Sequence, residues 1–293
     1  MAELITAMVT IFKDDLSVDY NACLDLAGFL IENGSDGLVV SGTTGESPTL
    51  SDEEKLALFA KIKEAVGSRA KVIAGTGSNC TNTTLGLTKE AAKTGVDGIM
   101  LVTPYYNKPP QAGLIRHFQT VAEAVDLPVI MYNVPSRTGA NIEAETVIAL
   151  SKTANIVAVK EASGNFEQIK QIIDNTADDF KVYSGDDAAT FDIMKLGGGG
   201  VISVASHVIG KQMKKLLTLC EEGNISEADE LNNELMPIFK GLFKTTNPIL
   251  VKAGLEIISQ KGGPLRLPLI EATESQKAEL RELLEISLVR SEG

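Results

Sequence analysis

The stretch "GLVVSGTTGESPTLSDEEKLALFAKIKEAVGSRAKVIAG", residues 37–75, contains one complete strand–helix–strand unit. Its first four and last five residues are short apolar runs, which are typical of buried strands. Between them, residues 52–66 place apolar side chains three and four positions apart, and this spacing predicts a helix. Ser51 and Glu54 have the spacing of a capping box at the helix start, and Gly67 follows its end. The stretch therefore predicts two parallel strands joined by a covering helix.

The same unit recurs along the chain. Each of eight apolar runs is followed by a helical pattern, and the runs are rich in Val and Ile, which indicates a parallel sheet covered by helices. Eight such units predict an α/β fold of the (β/α)8 TIM-barrel type. An open, doubly wound sheet is the alternative, and the count of eight with regular spacing favours the barrel. The predicted strands are 5–10, 37–40, 71–75, 98–103, 128–133, 156–162, 181–185 and 200–206.

Only helical patterns follow the eighth strand. A helix over about 210–222 completes the last unit, and three more helices are predicted at 226–244, 248–260 and 275–289. We therefore expect a catalytic barrel domain over residues 1–224 and a C-terminal helical domain over residues 225–293.

The composition of the chain limits the classes of molecule that the protein is expected to bind. The chain has 293 residues, is 44% hydrophobic and has a net charge of −12. An acidic surface repels nucleic acid and anionic membranes, so a site for an anionic substrate needs local cations. Cys23, Cys80 and Cys220 are far apart and share no metal-binding spacing, as expected for free thiols in a reducing compartment.

The N-terminal segment "MAELITAMVT" carries Glu3 and no basic region, so we expect no secretory leader. No apolar run reaches the roughly 18 residues that a membrane span needs. These features predict a cytoplasmic protein.

A lysine lies near the end of the sixth predicted strand, "IVAVKEA" at 156–162. Alternation places Ile156, Ala158 and Lys160 on one face, which we assign to the barrel interior. Burial disfavours an ammonium, so a lysine there has a lowered pKa and can attack a carbonyl to form a Schiff base. The alternative is a strand-end lysine that reaches solvent.

Other polar side chains follow neighbouring strands and would meet Lys160 at the same mouth. Tyr132 could transfer protons, with Thr44 as a hydrogen-bond relay, and Arg137 offers a planar fork for a carboxylate. Thr43 and Thr44 could bind a second carboxylate. Taken singly, each residue has a structural alternative: a core tyrosine, a surface arginine or an ordinary polar loop.

The sequence contains no residues at a spacing typical of a catalytic metal site. The two histidines, His117 and His207, have no second ligand at a suitable spacing, which argues against a zinc-dependent aldolase. We expect neither a metal ion nor an organic cofactor.

Six motifs together resemble the dihydrodipicolinate synthase family, within the Schiff-base pyruvate-dependent aldolase and lyase superfamily. They span nearly the whole chain and keep the family's order. The motifs are "GTTGESPTL" 42–50, "YYNKP" 105–109, "YNVPSRTG" 132–139, "VKEASGN" 159–165, "YSGDD" 183–187 and "GVISV" 200–204.

The resemblance implies condensation of pyruvate with L-aspartate 4-semialdehyde, in the biosynthesis of lysine and diaminopimelate. By this likeness Lys160 forms the Schiff base with pyruvate. Tyr132, Thr44 and Tyr106 form a proton relay, with Tyr106 contributed across a subunit interface. Similar proteins are homotetramers built from tight dimers, so the resemblance implies the same assembly.

The resemblance also implies substrate-binding residues. Arg137 receives the carboxylate of the semialdehyde, Thr43 and Thr44 hold the carboxylate of pyruvate, and Gly185 and Ile202 shape the pocket.

One departure from the family concerns regulation. Lysine-inhibited relatives place histidines and a glutamate around an effector cleft, and this chain has Asp52, Lys55 and Thr83 at those positions. The residues retained for an effector site are Ser47, Asn79 and Tyr105. A cationic Lys55 repels an effector ammonium, so we expect little feedback inhibition by lysine.

Two other functions are alternatives. A sister class I aldolase, an N-acetylneuraminate lyase or a 2-keto-3-deoxy sugar acid aldolase, shares the lysine and tyrosine but needs a polyhydroxyl pocket. A catalytically inactive barrel that senses pyruvate or an amino acid would need none of the chemical groups that this chain keeps.

Overall fold

Eight parallel strands form a closed barrel in which each strand pairs with the next in sequence and the eighth pairs with the first. The computed structural model describes residues 1–290, with side chains described as far as residue 285. The barrel confirms the predicted TIM-barrel fold and excludes the open sheet. The strands are β1 (Glu3–Ala7), β2 (Gly37–Val40), β3 (Lys71–Gly75), β4 (Gly98–Val102), β5 (Val129–Asn133), β6 (Ile156–Glu161), β7 (Lys181–Ser184) and β8 (Gly200–Ser203).

Helices surround the barrel and continue beyond it. None of the helices within residues 1–290 combines the length and apolarity that crossing a bilayer requires. The helices are α1 (Tyr20–Glu32), α2 (Asp52–Val66), α3 (Thr81–Ala92), α4 (Gln111–Ala122), α5 (Pro135–Thr138), α6 (Ala144–Leu150), α7 (Phe166–Asn175), α8 (Thr190–Lys195), α9 (Ser206–Glu221), α10 (Ile225–Leu242), α11 (Ile249–Ile257) and α12 (Glu274–Arg290).

Two of the three apolar clusters among the described residues give the fold its layers. The larger fills the space between the strands and the helices, and it includes Leu38 of β2 and Phe59 of α2. The smaller fills the barrel interior, and it includes Val39 of β2, which alternates with Leu38. Each strand therefore buries both faces, which explains why the strands appear in the sequence as continuous apolar runs.

The predicted capping box at the start of α2 is confirmed. The Ser51 hydroxyl accepts from the Glu54 amide at 3.2 Å, and the Glu54 carboxylate accepts from the Ser51 amide at 2.9 Å. Gly67 ends the helix with a positive φ of 60°.

The predicted first strand, 5–10, is wrong by several residues, because β1 ends at Ala7. Met8, Val9 and Ile11 are nonetheless almost fully buried, since they pack in the outer cluster rather than in the sheet. The apolar run correctly indicates that these residues are buried, but the residues after Ala7 are buried without pairing in the sheet.

The assignment of Ile156 to the barrel interior is also wrong. The pairing of β5 with β6 skips a residue, since Val129 pairs with Ile156 and Ile130 pairs with Ala158. This irregularity turns Ile156 into the outer cluster and Val157 toward the interior. Ala158 packs inside the barrel as predicted, so the strand presents the expected face at its functional end.

The C-terminal helices lie close to their predicted positions. α10 packs against α9 and α12, and α11 packs against α9. The helix predicted at 210–222 begins four residues earlier, at Ser206. The end of α12 lies beyond residue 285, outside the part of the chain whose side chains are described.

Candidate active site

Lys160 lies near the carboxyl end of β6 with its side chain in the barrel. It is 4% exposed, and its Nζ lies 4.4 Å from the centroid of the Tyr132 ring. Strand pairing sets this contact, because Lys160 is in register with Tyr132 on β5 and with Tyr183 on β7. The amine therefore lies over the Tyr132 ring, at the end of the barrel where TIM-barrel enzymes bind substrates.

Burial lowers the pKa of Lys160 to about 8. The Arg137 charge lowers the pKa further, and the Asp187 carboxylate opposes both by favouring the ammonium. At pH 7 a pKa of about 8 leaves about one amine in ten uncharged, against about one in three thousand for an unperturbed lysine. The site therefore maintains a nucleophilic amine at neutral pH.

Tyr132 stays protonated in the same cavity. It is 6% exposed, and burial raises its pKa to about 12. The nearby Arg137 charge and a hydrogen bond with the Thr43 side chain limit that rise in pKa. A phenol that is protonated, buried and next to the amine can pass a proton to an oxygen bound between them.

Arg137 lies on α5, the single helical turn that follows β5 directly. Pro135 begins this turn and Gly139 ends it with a φ of 70°. The Arg137 side chain is exposed, so its guanidinium is free to meet a ligand at the mouth. A guanidinium at the mouth supplies the local cation that an anionic substrate needs in a chain with a net charge of −12.

Thr43 and Thr44 lie in the loop after β2 but have different partners. Thr43 contacts Tyr132, as described above, whereas Thr44 is almost fully buried and its hydroxyl accepts from the Asn247 amide at 2.9 Å. No sequence pattern predicts this partner, since the two residues are 203 positions apart.

Gly185 leaves space for the Lys160 side chain. A Cβ at this position would lie 3.2 Å from Cε of Lys160 and 2.8 Å from Cβ of Ala162. Any larger residue would therefore crowd the Lys160 side chain and clash with Ala162. Ile202 of β8 is 1% exposed and completes the apolar wall inside the barrel.

Asp187 is a charged neighbour that the sequence did not single out. One carboxylate oxygen accepts from the Ser203 hydroxyl at 2.5 Å, and the other accepts from the Val204 and Ala205 amides at 3.0 and 2.8 Å. Burial raises the pKa of Asp187, and these hydrogen bonds oppose that rise. A carboxylate so fixed can balance a positive charge on Lys160.

A second polar group lies behind the two strands that carry Lys160 and Tyr132. Asn133 and Glu161 follow Tyr132 and Lys160, and alternation turns them outward, where the Asn133 amide donates to both Glu161 oxygens at 3.1 Å. Gln168 donates to Glu161 at 3.1 Å as well. These bonds join β5, β6 and α7, so they fix the strand ends that carry the amine and the phenol.

Tyr106 does not reach this site within one chain. Its side chain is 88% exposed and its φ is 73°, a left-handed backbone conformation that is unusual for a residue other than glycine. The structure thus presents Tyr106 outward, separate from the residues that gather around Lys160.

A cavity of about 450 Å³ opens beside the site. Its lining includes Tyr132, Arg137, Lys55, Thr83 and Tyr105. Asp52 and Ser47 also line it, whereas Asn79 accepts from Asn107 through its backbone carbonyl at 2.8 Å. Lys55 is paired with Asp52 at 3.3 Å.

Both histidines serve structural contacts. His207 accepts from the Val9 amide at 3.1 Å and contacts the Val204 carbonyl at 2.8 Å, and His117 contacts the Thr81 hydroxyl at 2.9 Å.

The chain is similar to known proteins over nearly its whole length. The profile of the Dihydrodipicolinate synthetase family matches residues 1–287. The 4-hydroxy-tetrahydrodipicolinate synthase of Heliobacterium modesticaldum is 53% identical over 282 residues, covering 96% of this chain and 94% of its own. A relative from Moorella thermoacetica with the same name is 50% identical, and the alignment covers 96% of each chain.

Solved structures give the same result. The dihydrodipicolinate synthase of Cyanidioschyzon merolae, solved with lysine bound, superposes with a TM-score of 0.96 at 46% identity and 98% coverage of both chains. The enzyme from Aquifex aeolicus superposes with a TM-score of 0.95 at 43% identity, with 98% of both chains covered. With an identity far above 30% over nearly its whole length, this chain belongs to the dihydrodipicolinate synthetase family.

Proposed function

We propose that the chain is a class I aldolase-type lyase that condenses pyruvate with L-aspartate 4-semialdehyde, the 4-hydroxy-tetrahydrodipicolinate synthase reaction of lysine and diaminopimelate biosynthesis. The observation that carries this proposal is the buried Lys160 amine, with a pKa of about 8 and a protonated phenol beside it. The names of the relatives support the same reaction.

The residues take the following roles. The neutral Lys160 amine attacks the ketone carbon of pyruvate, and the resulting carbinolamine loses water to give an iminium ion. Tyr132 supplies the proton that leaves with the hydroxyl, and Thr44 relays protons between Tyr132 and solvent, with Tyr106 contributed by a second chain. The iminium acidifies the methyl carbon, whose proton passes to the Tyr132 phenolate left by the dehydration, and the resulting enamine attacks the aldehyde of the second substrate.

The remaining residues bind the substrates. Thr43 and Thr44 hold the carboxylate of pyruvate, and Gly185 and Ile202 shape the space around its methyl group. Arg137 binds the carboxylate of the semialdehyde, because it is an exposed cation that lines the cavity together with Tyr132. A coupled assay with aspartate semialdehyde, N-acetylneuraminate and 2-keto-3-deoxy sugar acids tests this assignment, and turnover of a sugar acid alone would contradict it.

The pH dependence of Schiff-base formation is the first testable consequence. Because burial lowers the pKa of Lys160 to about 8, the reactive amine accumulates as pH rises through that value. We expect the rate of borohydride-trapped adduct formation with pyruvate to rise about tenfold from pH 6 to pH 7 and to level off above about pH 9. A rate that keeps rising tenfold per unit beyond pH 9 would show an unperturbed lysine.

The strength of feedback inhibition by lysine is the second testable consequence. Lys55, Ser47 and Tyr105 line the cavity beside the site, and we propose that this cavity, with Asn79, is the effector cleft. A second cation about 5 Å from Lys55 is repelled by about 3 kcal/mol at a surface dielectric, an effect that Asp52 offsets in part. We expect inhibition only above low-millimolar lysine in a steady-state assay, and tighter inhibition in Lys55→Ala. An inhibition constant in the low-millimolar range or below for the unaltered chain would contradict this.

We also propose a homotetramer of tight dimers located in the cytoplasm, with a catalytic barrel over residues 1–224 and a helical domain over residues 225–293. The exposed Tyr106 supports assembly, since its proposed role requires a second chain. The unpaired thiols of Cys23, Cys80 and Cys220 support a reducing compartment. Sedimentation equilibrium tests the assembly, and a monomer with full activity would exclude the role of Tyr106.

A further inference from the structure

Asn247, between α10 and α11, reaches from the C-terminal helices into the active-site loop. Its side-chain amide donates to the Thr44 hydroxyl at 2.9 Å, and both residues are almost fully buried. The Asn247 carbonyl oxygen has no hydrogen-bond partner among the described side chains and backbone. The amide is therefore committed to one contact, and that contact is a residue of the proposed proton relay.

The same loop is held by a buried ion pair. The Lys252 ammonium of α11 donates to one Glu46 oxygen at 2.6 Å, and the Arg266 backbone amide donates to the other at 3.0 Å. Lys252 is 2% exposed and Glu46 is 2% exposed. Glu46 has a φ of 55°, so this non-glycine residue keeps a left-handed conformation at the turn that follows Thr44.

We propose that the C-terminal helices are a positioning element of the active site, with Asn247 setting the direction in which the Thr44 hydroxyl donates its proton. A hydroxyl has one proton and two acceptor lone pairs. Because the Asn247 amide occupies a lone pair, the Thr44 proton is left free to be donated to a partner other than Asn247. The Lys252–Glu46 pair keeps the loop in the place where this bond forms. The inference rests on the proposed role of Thr44 as a relay.

Two substitutions at position 247 distinguish the effect of the hydrogen-bond direction from the effect of the contact with Thr44 itself. Asn247→Asp keeps the size of the side chain but offers a carboxylate, which accepts the Thr44 proton and withdraws it from the relay. Asn247→Ala removes the contact without reversing it. Asn232 of α10 gives the matched control, because its amide is equally buried, its carbonyl oxygen also lacks a partner among the described atoms, and it lies outside the site.

The measurement is the exchange of the pyruvate methyl protons for deuterium in D2O, followed by NMR without the second substrate. This exchange needs the Schiff base and the relay but not Arg137. We expect Asn247→Asp to lower the exchange rate by about a hundredfold and Asn247→Ala by about tenfold, within the range of general acid–base effects. Asn232→Asp and Asn232→Ala should exchange at the unaltered rate, and thermal melting identifies variants that fail to fold.

Thr44→Val separates this inference from the proposed function. In the Thr44→Val background, Asn247→Asp should cause no further loss of exchange, because the residue acts through the hydroxyl. Normal exchange in both folded Asn247 variants, with exchange lost in Thr44→Val, would overturn the inference alone. Normal exchange in Thr44→Val would remove the relay role of Thr44 and the inference with it, while borohydride trapping at Lys160 would still test the Schiff base separately.

Discussion

Replacing Lys160 by alanine is expected to abolish the borohydride-trapped adduct with pyruvate and to lower the condensation rate by at least about four orders of magnitude. The loss is large because the amine is the only group in the proposed mechanism that bonds covalently to the substrate. Gly185 leaves room around the Lys160 side chain, so alanine enlarges an existing space and introduces no clash.

Mass spectrometry of the trapped protein provides the measurement. The unaltered chain should gain the mass of one reduced pyruvate on the peptide that contains Lys160, and Lys160→Ala should gain none. Lys152→Ala is the matched control, since Lys152 is exposed on the loop before β6 and should leave the adduct unchanged. An adduct of equal yield in Lys160→Ala would place the Schiff base on another lysine and remove the mechanism proposed above.

Much of the fold was predictable because the barrel repeats one local pattern. Each strand and helix can be recognised from about fifteen neighbouring residues, and eight units predict closure. The predictions for β1 and Ile156 are wrong because a residue can be buried without being paired in the sheet as the apolar pattern suggests. Met8 and Val9 are buried outside the sheet. A pairing irregularity at the start of β6 turns the Ile156 side chain out of the barrel interior and into the outer cluster.

The central pair of the site was predictable for the same reason. Lys160 and Tyr132 lie next to the last residue of neighbouring strands, and parallel pairing in register brings them together without further information. The residues that support them depend on contacts between distant segments. Asn247 meets Thr44 across 203 positions, and Lys252 meets Glu46 across 206, so no local pattern contains either pair.

Asp187 illustrates a different difficulty. An acidic pair in a loop usually predicts a solvated turn, because an isolated buried carboxylate is unfavourable. Here the burial is offset by the Ser203 hydroxyl and by the two backbone amides that follow β8. Those donors become available only when the seventh and eighth strands are paired, so the sequence alone contains the residue but not its environment.

Arg137→Ala is expected to lower kcat/KM for the semialdehyde by about a hundredfold while leaving Schiff-base formation intact. A guanidinium that binds a carboxylate through charge-assisted hydrogen bonds contributes on this scale. The arginine also lowers the pKa of Lys160, so its removal raises that pKa and slightly reduces the uncharged fraction at pH 7. Trapping with pyruvate should therefore be compared at pH 9, where the amine is mostly uncharged in both proteins and the adduct yields should agree.

Two further variants show whether the effect of Arg137→Ala comes from the lost charge, the lost guanidinium geometry or a general effect of removing an arginine. Arg137→Lys keeps the charge but loses the planar fork, so it should restore the pKa of Lys160 and recover only part of the activity with the semialdehyde. Arg116→Ala removes another exposed arginine, on α4, and should behave like the unaltered chain. If Arg137→Ala instead impairs pyruvate trapping at pH 9 and semialdehyde use to the same degree, the arginine supports the turn after β5 and does not bind the second substrate.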